Sequence, residues 1–470
     1  MKRTKIVVIG AGSASFGLTN LGAILRTPEL QGSELCLVDI DPAGLQLIAR
    51  LAERLNKEWQ ADFIIKSSTA RRDCLSEADF VILSVAMDRE KCWRMDQQIA
   101  QKYRIMHYAE NGGPGGFMHL ARNVALIMPI LKDIERMCPE AWVLNFTNPV
   151  PRICIAAARF TKVKMIGICH QLEFGYLIAG NVLSAELGIA VAPDYQFRWE
   201  EIFGEKNQSA AIKRAAAAKL DILAAGLNHF TWMLSIRDKQ TGTDLYPLLR
   251  ERFRTHYPGF EPLTRVLFDS FKICPVPGDC HLVEYLPYTH NMARNSWAKY
   301  EIQMYPLDKG EVSRHEMWQR ITAMAEGREP LDVLREVHTE RAELVIAAIK
   351  DNQHAYEPAL NIPNRGYIAN LPEGAIVEVP AVVSAAGVHG IGVGALPVSI
   401  AELCRRQITL AELSAVAAVT GDRELALQAF LLDPMIDDPE VAQQLLHEYL
   451  VAEQDYLPQF SMNSPTSSNA

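Results

Sequence analysis

No apolar stretch in the chain approaches the roughly 20 residues that a membrane-spanning helix needs, no basic run breaks the charge pattern, and the nine cysteines follow no regular spacing. Each absence removes a class of function. Without a long apolar run nothing is expected to cross a bilayer, and no membrane partner is expected. A net charge of −9 with no cluster of lysine and arginine argues against a nucleic-acid surface. An odd number of scattered cysteines argues against a disulfide framework. Reduced thiols in a cytoplasmic setting are the expectation, which leaves any one of them free to bind a metal. The first five residues resemble the start of a signal peptide, but the glycines at 10 and 12 interrupt the apolar run that would have to follow, so no signal peptide is read. Internal repeats are absent.

What is there is a globular composition, 49% hydrophobic and 22% charged, on a chain of 470 residues. That length fits two packed domains better than one. Over the first 170 residues short apolar strands alternate with helices: strands at 34–39, 79–85, 141–146 and 164–169, helices at 42–56 and 120–137. This order predicts a parallel, doubly wound α/β sheet of the Rossmann type, in which ligands bind beyond the carboxyl ends of the strands. From about residue 220 the pattern changes. A bent strand or hairpin over 221–236 is followed by helices near 245–257, 262–273, 310–326, 329–352 and 421–434, with β-like stretches at 364–372 and 377–380. We read a dinucleotide-binding domain over 1–195, an intertwined α+β substrate and metal-binding domain over 196–455, and a disordered tail over 456–470.

The most informative local feature is Asp39, which ends the apolar run Glu34-Leu35-Cys36-Leu37-Val38 downstream of a glycine turn. A strand, Gly10-Ala11-Gly12-Ser13, a helix and then an acid at the next strand end form the dinucleotide fingerprint. Gly10 permits the tight turn, and Gly12 lets the backbone approach a pyrophosphate. Asp39 accepts hydrogen bonds from ribose hydroxyls and repels a 2′-phosphate, so NAD is expected rather than NADP. The cofactor-binding set is Gly10, Gly12, Ser13, Phe16 and Asp39. Ser15 stands where the fingerprint has its third glycine, so helix–strand packing must admit a hydroxyl there.

Four further clusters lie at the expected ligand edge. Residues 111–117 carry four glycines in five positions and read as a loop whose backbone packs against cofactor or substrate. Asn148, before a proline at a strand end, is read as aiming its amide at a sugar hydroxyl or the nicotinamide, or as a turn cap. Cys169-His170 ends another strand, where adjacent side chains point to opposite faces; as a metal site it needs a second ligand from elsewhere, for which His229 is the candidate, and the alternative is a buried thiol and a core histidine. Asp279, His281 and Glu284 could include a base, or could be a turn entering a helix with Asp279 as its cap.

In their order and spacing these segments resemble glycoside hydrolase family 4. The resemblance runs through Gly10 to Ser13, Val38 to Asp41, Gly113 to Gly116, Asn145 to Pro149, Gly167 to His170, Gly226 to His229, Gly278 to His281, and the segments beginning at Asn364 and Val377. It implies a glycosidase of lactate/malate dehydrogenase-like fold that works by oxidation and elimination. Tightly bound NAD⁺ takes hydride from C3, a base removes the acidified C2 proton, the C1 leaving group is eliminated, water adds, and the hydride returns. Cys169 and His229 match the metal ligands, usually for Mn²⁺. Asp279 matches the C2 base of some members, while others use a tyrosine; His170 would protonate the leaving group. Histidine after the metal cysteine implies unphosphorylated α-glycosides, and Gln171, which departs from known subgroups, leaves glucoside, galactoside and uronide open. Arg89 or Arg122 near the sugar would favour a carboxylate. The family also implies a homodimer or homotetramer. The rival reading is an NAD-dependent dehydrogenase of a sugar or hydroxy acid, which has no use for Cys169 with His229.

Overall fold

The computed structural model describes residues 3–107, 110–203, 207–290, 295–336 and 339–461. Twelve strands among these residues form one sheet. They are β1 (Lys5–Ile9), β2 (Glu34–Val38), β3 (Ile64–Ser68), β4 (Phe80–Leu83), β5 (Trp142–Asn145), β6 (Lys164–Gly167), β7 (Leu220–Leu227), β8 (Phe230–Asp238), β9 (Cys274–Pro275), β10 (Ala355–Pro363), β11 (Ile376–Ser384) and β12 (Gly387–Gly390). The order is β3-β2-β1-β4-β5-β6-β10-β11-β7-β8-β9, with β12 on β11. The first six strands are parallel, as the sequence implies; beyond β6 every pairing is antiparallel.

The central strands of the parallel half are covered on both faces, which is why β1, β2, β4 and β5 are mostly apolar. Alternation along β1 sends Ile6 and Val8 into one core and Val7 and Ile9 into the other. Each such side chain contributes about 1.5–3 kcal/mol on burial. The expected boundary at 195/196 is not a break in the sheet: Asn361 of β10 pairs with Gly167 of β6. Both halves therefore share one sheet, and the second supplies the strands that close its edge.

Several expectations shift. The edge strand β3 escaped notice because its sequence, Ile-Ile-Lys-Ser-Ser, has no apolar alternation and sits largely exposed. The helix Arg89–Lys102 is mostly charged and polar, with only Cys92, Trp93, Asp96, Ile99 and Ala100 buried. The 364–372 stretch is a loop; the strand lies earlier, at β10, with a bulge between Glu357 and Leu360 around Pro358. Among the described residues of the expected 329–352 helix only Ala342–Lys350 is α-helical, preceded by a 3₁₀ turn at Asp332–Arg335. Two long C-terminal helices, Val398–Thr420 and Pro439–Ala452, were missed. The tail is ordered through residue 461: Pro458–Ser461 forms a helical turn, and Phe460, 2% exposed, packs edge-on against Phe117. The rest of the expected disordered tail, 462–470, lies outside the described residues. No helix among the described residues is long and apolar enough to cross a membrane.

Candidate active site at the carboxyl edge of the sheet

The glycine turn after β1 brings all five expected cofactor residues together. Gly10 has φ +94°, and the Gly10 and Ala11 amides both donate to the Val38 carbonyl at 2.9 and 3.1 Å. The Gly12 amide donates to Asp39 Oδ2 at 2.8 Å. A Cβ on Gly12 would lie 2.7 Å from the Asp39 carboxyl carbon, so only glycine lets the acid sit against the turn. Ser13 Oγ caps the following helix, accepting from the Phe16 amide at 3.2 Å, and Phe16 anchors that helix in the core. The turn is therefore a backbone cradle with a carboxylate beside it, which fits a dinucleotide. Ser15 does not have the expected packing role: it faces solvent. The close approach falls at Gly17, whose added Cβ would meet Ile48 at 2.4 Å. A Gly10→Ala change would place Cβ 1.8 Å from the Ser84 carbonyl oxygen in a left-handed conformation. We expect it to cost at least about 1–3 kcal/mol, read as a lowered melting temperature.

Cys169 lies just past the end of β6. His229 is the second residue of the two-residue turn joining β7 to β8, held at φ +61°. Their side chains meet, with Sγ 3.5 Å from Nε2. The turn is fixed from outside: Asn228 Nδ2 donates to Glu378 Oε2 at 2.7 Å, and Asn361 Nδ2 donates to the same oxygen at 3.0 Å. Burial, with His281 adding to it, pushes the His229 imidazole down to about 3. It is thus neutral, the form that ligates a metal, and its buried Nδ1 has no partner. Burial pushes the Cys169 thiol up, aided by Glu340 and Glu378; its thiolate needs a cation. Among the described residues no group of three or more His, Cys, Asp or Glu forms a metal cage. A divalent ion on this pair would keep open positions for oxygen ligands from a substrate.

A polar network surrounds the pair. The His281 ring lies 4.5 Å from that of His229, centroid to centroid, and His281 Nδ1 is 3.0 Å from Glu284 Oε1. Glu284 Oε2 in turn accepts from the Asn111 and Gly112 amides at 2.9 and 3.1 Å. Asn148 Nδ2 donates to Glu110 at 3.0 Å, and Arg89 grips the same carboxylate twice, at 2.7 and 3.0 Å. Burial acts to raise Glu110, but Arg89 and His119 outweigh it and hold it well below the usual carboxylate range. His170 Nδ1 pairs with Glu340, which raises the imidazole to about 9 although half of the side chain is exposed.

Three sequence expectations need revision. The glycine-rich stretch is not a loop on a ligand: Gly113–Met137 is one helix, and its glycines admit protein neighbours. An added Cβ would lie 2.1 Å from the Glu284 carbonyl at Gly112 and 2.4 Å from the His107 ring at Gly115. Arg122 does not face a sugar: it is fully buried, with its guanidinium held between Asp96 and Glu453. Asp279 is not brought to the Cys169–His229 pair by any described contact. Its carboxylate accepts from the Leu263 and Thr264 amides at 2.8 and 2.6 Å and from the Thr264 hydroxyl at 2.7 Å, so it caps the helix Pro262–Phe271.

Residues 5–176 match the family 4 glycosyl hydrolase model, and residues 224–436 match the model of that family's C-terminal domain. The chain is a family 4 glycoside hydrolase. It is 31% identical to an α-glucosidase of Erwinia rhapontici over 500 aligned positions, covering 97% of this chain and 99% of that one. An α-galactosidase of Bacillus subtilis is 29% identical (97% and 99% covered), and an α-galacturonidase of the same organism 28% (96% and 97%). Among solved structures, Bacillus subtilis lplD superposes with a TM-score of 0.79 at 25% identity, covering 96% of this chain and all of that one. A 6-phospho-α-glucosidase from gut microorganisms, solved with NAD and Mn²⁺, gives a TM-score of 0.75 at 20% identity, covering 97% and 100%.

In this family 4 enzyme, sequence reasoning missed Glu110, Tyr285 and Glu378. Each is a single residue whose neighbours only the tertiary structure supplies: Glu378 and Tyr285 act electrostatically with Cys169, and Glu110 with His229. A buried acid within a strand, Glu378 in Val377-Glu378-Val379, was the available signal.

Proposed function

We propose that the enzyme hydrolyses unphosphorylated α-glycosides by oxidation at C3, loss of the C2 proton, elimination at C1, water addition and re-reduction, with NAD and a divalent ion such as Mn²⁺ as cofactors. The observation that carries this reading is the Cys169–His229 contact at 3.5 Å on the ligand edge of the sheet, a pairing that a plain dehydrogenase would not need. When bound, NAD supplies a reversible hydride acceptor, and the ion stabilises negative charge on the sugar's O2 and O3.

The chain's own residues take the following parts. Gly10, Gly12, Ser13, Phe16 and Asp39 hold the dinucleotide, with Asp39 on the ribose. Cys169 and His229 hold the ion. Asn148, oriented by Glu110, binds a sugar hydroxyl. His170 carries the proton for the leaving group, kept on the ring by Glu340. That carboxylate would also repel a phosphorylated sugar; the α-glucosidase, α-galactosidase and α-galacturonidase names of three relatives favour an unphosphorylated substrate, whereas a Bacillus subtilis relative 28% identical is named a probable 6-phospho-β-glucosidase. For the C2 base, a tyrosine is better supported than Asp279. The Tyr285 hydroxyl lies 3.5 Å from the Asn228 carbonyl, beside the turn that carries His229; burial and then the Glu284 charge push its phenol well up, so it would need the charge of a bound ion to give up its proton. Tyr285→Phe is then expected to lower turnover about 100-fold. Asp279→Asn, which keeps an acceptor for the helix cap, should stay within about tenfold of wild type. The reverse ranking in steady-state assays would restore Asp279 as the base.

Nine unpaired cysteines support a reducing, cytoplasmic setting. Exposed Leu431, Leu432 and Val451 on the C-terminal helices support a homodimer or homotetramer, which light scattering would resolve. The deciding assay of function uses protein stripped of metal and cofactor, offered p-nitrophenyl α-glucoside, α-galactoside and α-galacturonide. We expect turnover only when NAD⁺ and Mn²⁺ are both restored, with no accumulation of NADH. Stoichiometric reduction of NAD⁺ by a free sugar or hydroxy acid, with no glycoside cleaved, would establish the dehydrogenase instead.

A further inference from the structure

Arg152 is a buried cation to which the chain offers no acceptor. It lies in the first turn of the helix Val150–Phe160 and is only 4% exposed. Among the described residues its guanidinium makes no hydrogen bond and no ion pair, and its Nη1 is buried without a partner. Arg122, equally buried, is gripped by two carboxylates. A bare guanidinium in a dry interior loses both the solvation of its charge and the bonds of its five N–H donors. The acids that act on it are engaged elsewhere. Asp433 accepts from the Met435 amide at 2.9 Å, and Glu284 serves His281 and the amides of Asn111 and Gly112. Their charges, with that of Tyr285, leave burial dominant, so the guanidinium is held below its usual basicity.

Arg152 borders a cavity of about 30 Å³ between its own helix, Asn228 at the end of β7, Tyr285, and Ile408 of the helix Val398–Thr420. At about 10–15 Å³ for each water, it has room for two water-sized particles. No carboxylate is among the described residues that line it. The positive end of the eleven-residue helix, whose N-terminus has no side-chain cap, adds to the Arg152 charge. Asn111 also borders the cavity, and its Oδ1 is buried without a partner. Turning that amide over presents Nδ2 as a further donor. The Asn228 Oδ1 lacks a partner as well, but its Nδ2 is fixed on Glu378. That oxygen therefore calls for a donor, which a water can be.

We propose that Arg152 holds a small monovalent anion of the chloride class in this cavity, with one water beside it on Asn228. The anion supplies the countercharge that the chain lacks, at the junction of β7, the helix Val150–Phe160 and the helix Val398–Thr420. Sulfate or phosphate brings more charge than one guanidinium balances and more bulk than the cavity suits. The anion takes part in no step of the reaction proposed above, so its site stands or falls separately from the glycosidase reading.

The test melts the chloride-free holoenzyme at constant ionic strength while sodium gluconate is replaced by sodium chloride, bromide or sulfate. Each response is read as the difference between wild type and Arg152→Met, which removes general salt effects. We expect chloride and bromide to raise the wild-type Tm by roughly 3 °C more than that of the variant, with saturation rather than a linear rise. Arg152→Lys, which keeps the cation with fewer donors, should retain a weaker halide response, and sulfate should give no difference. Crystals grown in bromide should show an anomalous peak beside the Arg152 guanidinium. Equal halide responses in wild type and Arg152→Met overturn the proposal. An ordered water at that place, with no anomalous signal, does the same, and a sulfate difference as large as the halide one overturns the class of anion. Should Arg152→Met fail to fold, the bromide peak and the response of Arg152→Lys decide.

Discussion

Cys169→Ser should abolish Mn²⁺-supported turnover, by more than about 1000-fold, while leaving the protein folded. Losing a contact to a metal ligand already costs about 10–100-fold; loss of the ligand itself should cost more, since the ion's charge is what would stabilise the deprotonated sugar. Serine is nearly isosteric, and its hydroxyl ionises far too weakly to replace a thiolate. The side chain lies at the half-buried mouth of the site rather than in either core. The melting temperature of the metal-free protein should therefore be close to wild type, whereas the rise that Mn²⁺ produces in wild type should disappear. His229→Ala should repeat the loss of the metal-induced rise, with an added stability change, since His229 occupies the left-handed turn position between β7 and β8. Full turnover in Cys169→Ser would remove the metal reading of this pair and with it the main support for the elimination chemistry.

Asp39 and His229 show how much of this site was legible, and Asp279 shows why the rest was not. Asp39 ends a buried strand after a glycine turn, so backbone geometry and chemistry are encoded within 30 consecutive residues; the structure places its carboxylate on the Gly12 amide. His229 follows an apolar run that could only be a strand, and the two-residue turn puts it at the sheet edge. Such local signals fix a residue's place. Asp279 lies in an equally suggestive cluster, but its partners, Leu263 and Thr264, come from a helix that begins 17 residues earlier. Nothing within the motif says whether the acid faces the site or caps that helix. The same holds for Glu110, Glu284 and Glu378, whose roles depend on which strands lie side by side. The parallel half of the fold was legible because its strands are buried on both faces. The edge strand β3 and the helix Arg89–Lys102 were not, because exposure leaves their sequences polar. Val398–Thr420 packs against Gly113–Met137 and Val150–Phe160, and Pro439–Ala452 against Arg89–Lys102, tertiary facts that no local period announces.

Arg122 and its two acids carry the largest stability effect we expect. Arg122 is fully buried; its guanidinium binds Asp96 at 2.7 and 3.2 Å and also pairs with Glu453 at the end of the helix Pro439–Ala452. One cation between two carboxylates in a dry site cannot neutralise both. Burial, and then the Asp96 charge, accordingly push Glu453 up to about 9. Because this folded-state value lies above the ordinary 4.5, the native protein keeps a proton that the unfolded chain releases. The resulting stabilisation is complete below about pH 4.5, declines as the pH rises, and is gone above about 9, with a slope of at most about 1.4 kcal/mol per pH unit. Glu453→Gln fixes the neutral form, so it should fold normally and flatten this decline. Arg122→Met leaves two acids without their cation and should cost about 3–5 kcal/mol. The consequence reaches the site, because Asp96 belongs to the helix that Arg89 begins, and Arg89 holds the Glu110 that orients Asn148. Denaturant melts of the three proteins at pH 5, 7 and 9 separate these terms. An unchanged pH slope in Glu453→Gln would mean that both carboxylates are ionised around Arg122 and that the retained proton lies elsewhere.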